Sequence, residues 1–455
     1  MNSNIGNIEK INGAKINGAK INGGKAIDSG GFGCIFLPSL RCENSINTQN
    51  NSFISKLMLN KDTDEEYNSI QKFKEKLKYI PNYKKYFLIG DIKVCKPSQL
   101  SSDDLENYNS KCTTLIEQGI TSSNINTNLD RVKTMNMPFG GINIKKFIKH
   151  NFNSTDLIKL NNSLIKLLTD GIIPMNRMGV YHGDLKSSNM LADKSSDGNI
   201  NVKIIDWGLS FIHENIREMP KYVKRPIQFN LPVSVVLFNP SLQEKLNTFL
   251  SVNPEWTMKN VKIFTARFLN DYIKTRDNSH LMILLRAIDD FSSLNSILTR
   301  QFDKNPTNHI LDYVSEALYK YTQNGIFNNL AYLNQIYLKN MDIWGFMTCY
   351  LDFYDIISDK KKLNSGDKTF LGKIKKIIME ILFLNSSTPI NVSILVDRLM
   401  DLNSIFPKLS FSEKIGGKKN IKSIRKKCKK KYHRKKCIKT KKRSIGKNKT
   451  RKYKR

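Results

Sequence analysis

The sequence predicts an α+β body of two lobes, a small sheet-rich one followed by a larger helical one. Strand-like patches cluster near the start, helical periodicity dominates after residue 139, and 40% hydrophobic with 9% aromatic residues over 455 positions supply enough apolar side chain for a core. At roughly 100–200 residues per domain, the length fits one large two-lobed domain or two or three small ones.

Residues 10–24 repeat a five-residue unit, Lys-Ile-Asn-Gly-Ala twice and then Lys-Ile-Asn-Gly-Gly. The unit is too short for a solenoid and rich in Asn-Gly, so 1–24 is predicted to be a flexible leader. Cys34 to Leu37 and Phe53 to Leu59 read as strands of one hairpin, separated by a polar loop through Asn44 to Asn51. From Asp64 to Ile80, the residues Tyr67, Ile70, Phe73, Leu77 and Ile80 recur at helical spacing, and Pro81 stops the run. Pro97 to Asn128 is polar and reads as a loop or insertion ahead of Arg131 to Phe139. Residues 239–340 are amphipathic helix by pattern, as in Ile310, Leu311, Val314 and Leu318, and 367–407 are helical too.

Charge is concentrated at the end of the chain. Of the net +34, residues 414–455 contribute 23 Lys+Arg and no Asp or Glu, leaving the rest at +11. No core can form in such a segment, which is predicted to be disordered. It suits nonspecific contact with nucleic acid or acidic protein, or else serves as a solvated or targeting tail. Within it, Cys428, His433 and Cys437 are too few ligands for zinc, which usually takes four. Seven cysteines, an odd number thinly spread, are not the pattern of a disulfide scaffold and favour a reducing compartment. With no apolar h-region at Met1-Asn2-Ser3 and no apolar run of membrane length, secretion and membrane insertion are disfavoured, and an intracellular location is expected.

The chemistry gathers in Tyr181-His182-Gly183-Asp184-Leu185-Lys186-Ser187-Ser188-Asn189-Met190-Leu191 and in Ile204-Ile205-Asp206-Trp207-Gly208. An acid, a Lys two residues on, an Asn five on and a second acid after a short hairpin are what phosphoryl transfer from a metal-bound nucleotide needs. One carboxylate orients the attacking hydroxyl, while the Asn and the second acid hold Mg²⁺ against the phosphates.

These segments resemble the signature pairs of the protein-kinase superfamily. The resemblance implies a two-lobed protein-kinase-like fold, ATP and Mg²⁺ as cofactors, Asp184 as catalytic base, Lys186 as a contact to the transferred phosphate, and Asn189 and Asp206 as metal ligands. Gly183 stands where many members have Arg, and Trp207 where they have Phe. The stretch Ile27-Asp28-Ser29-Gly30-Gly31-Phe32-Gly33-Cys34-Ile35 resembles the glycine-rich loop. Gly30 and Gly33 fall at its second and third glycines, Ile35 at its Val, and Asp28 where the first glycine would be. Lys56, in Phe53-Ile54-Ser55-Lys56, falls at the position of the Lys that pairs with the α and β phosphates. Its carboxylate partner is Glu66 or Glu65, although Thr63 with Glu66 also reads as a capping box. Met137, in Thr134 to Gly141, falls in the inter-lobe hinge facing adenine, or simply at the end of a strand before a Pro-Gly turn.

Met341-Asp342-Ile343-Trp344-Gly345 resembles the start of the large buried helix whose Asp braces the catalytic loop. The domains implied are a leader (1–24), an N-lobe (25–139), the first part of a C-lobe (140–238), a helical insertion (239–340), the C-lobe remainder (341–413) and the basic tail (414–455). Asn230-Leu231-Pro232 replaces the family's Ala-Pro-Glu, and no Ser or Thr follows Ser210 before it. Activity without activation-segment Ser/Thr phosphorylation is therefore expected.

His-Gly-Asp with Ile-Asp-Trp is also the pattern of kinases acting on aminoglycosides, choline and similar small molecules. Lys186, the Gly-Gly-Phe-Gly turn and Asp-Ile-Trp-Gly favour Ser/Thr of protein as the acceptor. A pseudokinase binding module is the third reading, supported by Asp28 and the missing Ala-Pro-Glu. The Asn, Lys and Ile usage, the leader repeat and the basic end are similar to serine/threonine kinases of giant DNA viruses of the mimivirus type, which would place the protein in the host cytoplasm, a viral factory or the virion.

Overall fold

Alternating burial along the early strands explains how the N-terminal sheet forms. In the computed structural model, which describes residues 24–30, 33–44, 52–275, 279–288 and 308–411, β1 (Lys25–Gly30), β2 (Gly33–Leu37) and β3 (Phe53–Leu59) are antiparallel neighbours. β4 (Lys93–Cys95) and β5 (Val132–Pro138) complete a five-stranded sheet in the order β1-β2-β3-β5-β4. Along β3, Ser55 and Leu57 are buried on one face, and Lys56 lies between them on the other, as the two-residue period of a strand requires. The expected leader and basic tail lie outside the described residues, as does most of the polar loop through Asn51.

The first face of this sheet is covered by the stretch read from sequence as a loop or insertion, which is not a bare loop but carries two short helices. Its two short helices, α2 (Tyr108–Lys111) and α3 (Thr113–Glu117), place Tyr108, Cys112 and Leu115, with Ile120 and Ile125, against Cys34, Phe36 and Leu57. One apolar residue every few positions covers a sheet face, even where the rest of the segment is polar.

The cysteine reading is corrected as well. Cys34 is bonded to Cys112 and Cys42 to Cys95, across sequence separations of 78 and 53. Tertiary folding brings each pair together, Cys112 through the short helices packed on the sheet and Cys42 beside β4, so the spacing in the chain carries no trace of it. These pairs remove the support the cysteines gave to a reducing compartment.

On the other side of the sheet, the helix Asn60–Leu77, here α1 by chain order, follows β3 directly. It begins four residues before the Asp64 expected from periodicity. Thr63 therefore lies inside the first turn, where its hydroxyl donates to the Leu59 carbonyl at 2.9 Å. It is not a cap, and Glu66 is free for another partner.

Beyond the sheet the chain is mainly helical. The fold is α+β, with a β-sheet N-terminal region and a helical C-terminal region. Small strand pairs frame the site: β7 (Val180–Tyr181) with β10 (Phe211–Ile212), and β6 (Ile142–Asn143), β8 (Met190–Lys194) and β9 (Ile200–Ile204) in a three-stranded sheet. The helix Leu338–Met347 is buried at every position except Lys339, as expected of a helix apolar on nearly all sides. Residues 239–340 are helical over most of their described length and pack on the segment that follows β10. The Ile227 amide donates to the Tyr272 hydroxyl at 3.1 Å, Phe229 stacks on His280, and His213 bonds Asn334.

Candidate active site

Lys56 sits opposite Ile35 of β2 and Met135 of β5, with its ammonium turned away from the buried face of β3. It meets Glu66 of α1, donating to both carboxylate oxygens at 2.7 and 2.6 Å. Glu65 points elsewhere, towards Lys61 at 3.9 Å on the exposed face. Of the two candidate carboxylates, Glu66 is the partner. A second pair, Lys133 to Asp64 at 2.7 Å, links β5 to the start of α1, the helix that carries Glu66.

The residues of the candidate catalytic loop are held in place by Asp342. One carboxylate oxygen accepts the His182 amide and the other the Gly183 amide, both at 2.9 Å, from a residue that is itself buried. Gly345, one turn along the same helix, lies so close that a Cβ would meet the Leu185 carbonyl oxygen at 2.6 Å. Absence of a side chain there is what lets the helix approach the loop.

His182 is fully enclosed. Its Nδ1 accepts the Asp184 amide at 3.3 Å, and Nε2 lies 3.0 Å from the Ile205 carbonyl oxygen, so the neutral Nε2–H tautomer satisfies both contacts. Burial holds the imidazole below its ordinary range against the pull of Asp342, and burial pushes the Asp342 carboxyl up against the pull of His182 and the two amides. Trp207 packs on His182 at 5.1 Å, on Phe73 of α1 at 5.5 Å and on Phe87 at 5.7 Å. This larger ring links α1 to the loop that carries His182 and Asp184.

Both oxygens of Asp184 are engaged. Oδ2 accepts Lys186 Nζ at 2.8 Å and Asn189 Nδ2 at 3.0 Å, and Oδ1 accepts Asn230 Nδ2 at 2.8 Å. Asn189 also donates to the Asp184 carbonyl at 2.9 Å, and its own carbonyl accepts the Ile205 amide at 3.0 Å, which sets Asp206 next to it in space. Asp206 is exposed, with φ 66°, an uncommon conformation for a residue with a side chain. Among the described residues, none donates a hydrogen bond to its carboxylate.

The remaining expected residues surround this group less tightly. Gly30 pairs with Gly33 where the β1–β2 ladder ends. Ile27 lies at an irregularity in the register of β1, and Asp28 is exposed, its carboxylate accepting the Ser29 amide at 3.0 Å. Ile35 is half-buried opposite Lys56, and Met137, also half-buried, faces Ile54 near the end of β5. Gly31 and Phe32 lie outside the described residues. Two site residues were not found from sequence, Asn230 and Arg225. The guanidinium of Arg225 donates to the Gly183 carbonyl. Arg225 belongs to no recognisable local pattern, and Asn230 is noted only within the stretch that replaces Ala-Pro-Glu, with no role given to it, since each reaches the loop across more than forty positions.

No family model matches the chain. Over 123 residues it is 30% identical to the EKC/KEOPS complex subunit bud32 of Dictyostelium discoideum, a match covering 27% of this chain. The chain spans 45% of that curated relative's length. A solved kinase domain matches over 83% of this chain and 93% of its own, with 12% identity and a TM-score of 0.35.

Proposed function

We propose that this protein is an ATP- and Mg²⁺-dependent kinase that transfers the γ-phosphate to Ser or Thr hydroxyls of protein. The observation that carries the reading is the convergence of Lys186, Asn189 and Asn230 on the carboxylate of Asp184. A base held this way keeps one orientation while it accepts the proton of the attacking hydroxyl. Lys56, fixed by Glu66, offers a cation to nucleotide phosphates. Lys186 offers a second to the group in transit.

The donor set fits the metal. Asn189 spends its amide nitrogen on Asp184, which turns Oδ1 the other way, and the neighbouring Asp206 carboxylate accepts nothing from described residues. Both are hard oxygen donors of the kind Mg²⁺ takes. Mg²⁺ held by Asn189 and Asp206 would neutralise charge on the phosphates.

The His-Gly-Asp and Ile-Asp-Trp sequences favour a second acceptor class, small amino alcohols. The test is transfer of labelled γ-phosphate by wild type and Asp184→Asn, offered basic and acidic proteins beside a panel of amino alcohols. Labelled protein Ser/Thr that depends on Asp184 supports the proposal, and labelling of small molecules alone replaces it with the second reading. Nucleotide binding without any transfer leaves a binding module.

A further inference from the structure

Gly183 is where two distant parts of the chain meet the catalytic loop. Its φ is 69°, and a Cβ there would come within 3.0 Å of the Leu209 carbonyl oxygen, so a side chain at this position is strained. The amide of Gly183 is taken by Asp342 at 2.9 Å, and its carbonyl by Nη2 of Arg225. The residue just before Asp184 is thus held through both its amide and its carbonyl, the first by the helix Leu338–Met347 and the second by the segment after β10.

Arg225 is unusual for a cation so placed. Its Nε and Nη1 are buried and have no hydrogen-bond partner among the described residues, and it forms no salt bridge among them. Asp184 and Asp342 are the carboxylates that act on its charge, and the buried, unpartnered hydroxyl of Tyr337 is close by. A guanidinium with most of its donors unsatisfied lowers stability, because its desolvation goes uncompensated. Groups that reduce stability in this way are retained where activity needs them.

We propose that Arg225 is a positioning residue for phosphoryl transfer, holding the Gly183 carbonyl so that the Asp184 carboxylate faces the acceptor hydroxyl. The assignment rests on the phosphotransferase reading above. It gives the segment after β10 a direct grip on the catalytic loop.

The experiment compares the full-length chain with Arg225→Met and Arg225→Lys, reading kcat, KM for ATP, thermal midpoint and hydrogen exchange of residues 180–190. Arg225→Met is expected to lower kcat about tenfold or more, with KM for ATP within about twofold, because an orientation is lost and not a nucleotide contact. Its thermal midpoint should equal or exceed that of wild type, since an unsatisfied buried cation has been replaced by an apolar side chain. Arg225→Lys should recover part of the loss. A kcat within twofold of wild type overturns the assignment, as does a fall in kcat that comes with a lower midpoint and a raised KM, or the absence of any recovery with Lys. If wild type transfers no phosphate, the kinase reading fails by itself and exchange decides the clamp. Faster exchange at 182–186 in Arg225→Met then supports it, and unchanged exchange overturns it.

Discussion

Glu66 and Asp342 both orient the candidate site through a carboxylate, yet they are held in opposite ways. Glu66 receives one flexible ammonium, with side-chain exposures of 13% for Lys56 and 21% for Glu66. Asp342 is 1% exposed and receives two backbone amides of the catalytic loop. The first contact depends on how α1 packs against β3 and breaks if the helix shifts. The second is lost only if the loop itself refolds. The region around α1 is therefore the adjustable half of the site and the catalytic loop the rigid half.

The largest expected effect tests the rigid half at its centre. Asp184→Asn keeps the shape of the side chain and removes its capacity to accept a proton, so transfer should fall by about 10²–10⁴-fold, the range for loss of a general base. Nucleotide affinity should be nearly unchanged, which a fluorescent nucleotide titration would check. Equal losses in both would show that the loop had collapsed.

Asp342→Ala should follow. Two buried amides lose their acceptor, each at a cost of about 1–3 kcal/mol, read by denaturant unfolding. Lys56→Met is the matching change in the adjustable half. It should cost roughly 1 kcal/mol or less in stability, because Glu66 can turn to water, while lowering transfer strongly. Similar stability losses in the two variants would erase the distinction between the halves.

Reduction probes a third feature, the cross-links of the N-terminal sheet. Both enclose long loops, so opening them should lower unfolding free energy by about 2–5 kcal/mol each. Thermal unfolding with and without dithiothreitol measures this, and Cys349, which is buried and free, serves as the internal control for thiol labelling. An unchanged midpoint would mean that the packing of Tyr108, Leu115 and Ile120 on the sheet suffices.

What could be read in the sequence follows the same division by distance. Asp184, Lys186, Asn189 and Asp206 stand out in the sequence because their mutual spacing is short and chemically specific, whereas Lys56 is singled out only through the resemblance. β2 and β3 were legible from apolar runs near turn residues. The cover over the sheet was not, since Tyr108, Leu115 and Ile125 obey no single period and contact strands far away in the chain. The start of α1 was misplaced because its apolar period begins only at Tyr67, leaving the first turn from Asn60 without a signal. Asn230 and Arg225 reach Asp184 and Gly183 from a segment with no periodic pattern, where only three-dimensional placement reveals them.

The smallest effect concerns pH and the rigid half alone. His182 is kept neutral in the folded protein, with burial lowering its proton affinity and its Nδ1 already occupied by the Asp184 amide. An unfolded chain binds that proton below about pH 6.5, so the unfolded state carries more protons than the native one there and stability must fall on acidification. The slope attributable to one group is at most about 1.4 kcal/mol per pH unit. Asp342 acts in the reverse sense. Its raised proton affinity lets the native state hold a proton the unfolded chain has released, so its contribution declines as pH rises above the ordinary carboxylate range. The His182 contribution is therefore seen most cleanly just below neutrality. His182→Gln, which keeps a donor for the Ile205 carbonyl without a titrating ring, should flatten unfolding free energy between about pH 6.5 and 5. If denaturant titrations gave wild type and variant the same slope over that interval, the acid sensitivity would originate outside the catalytic loop.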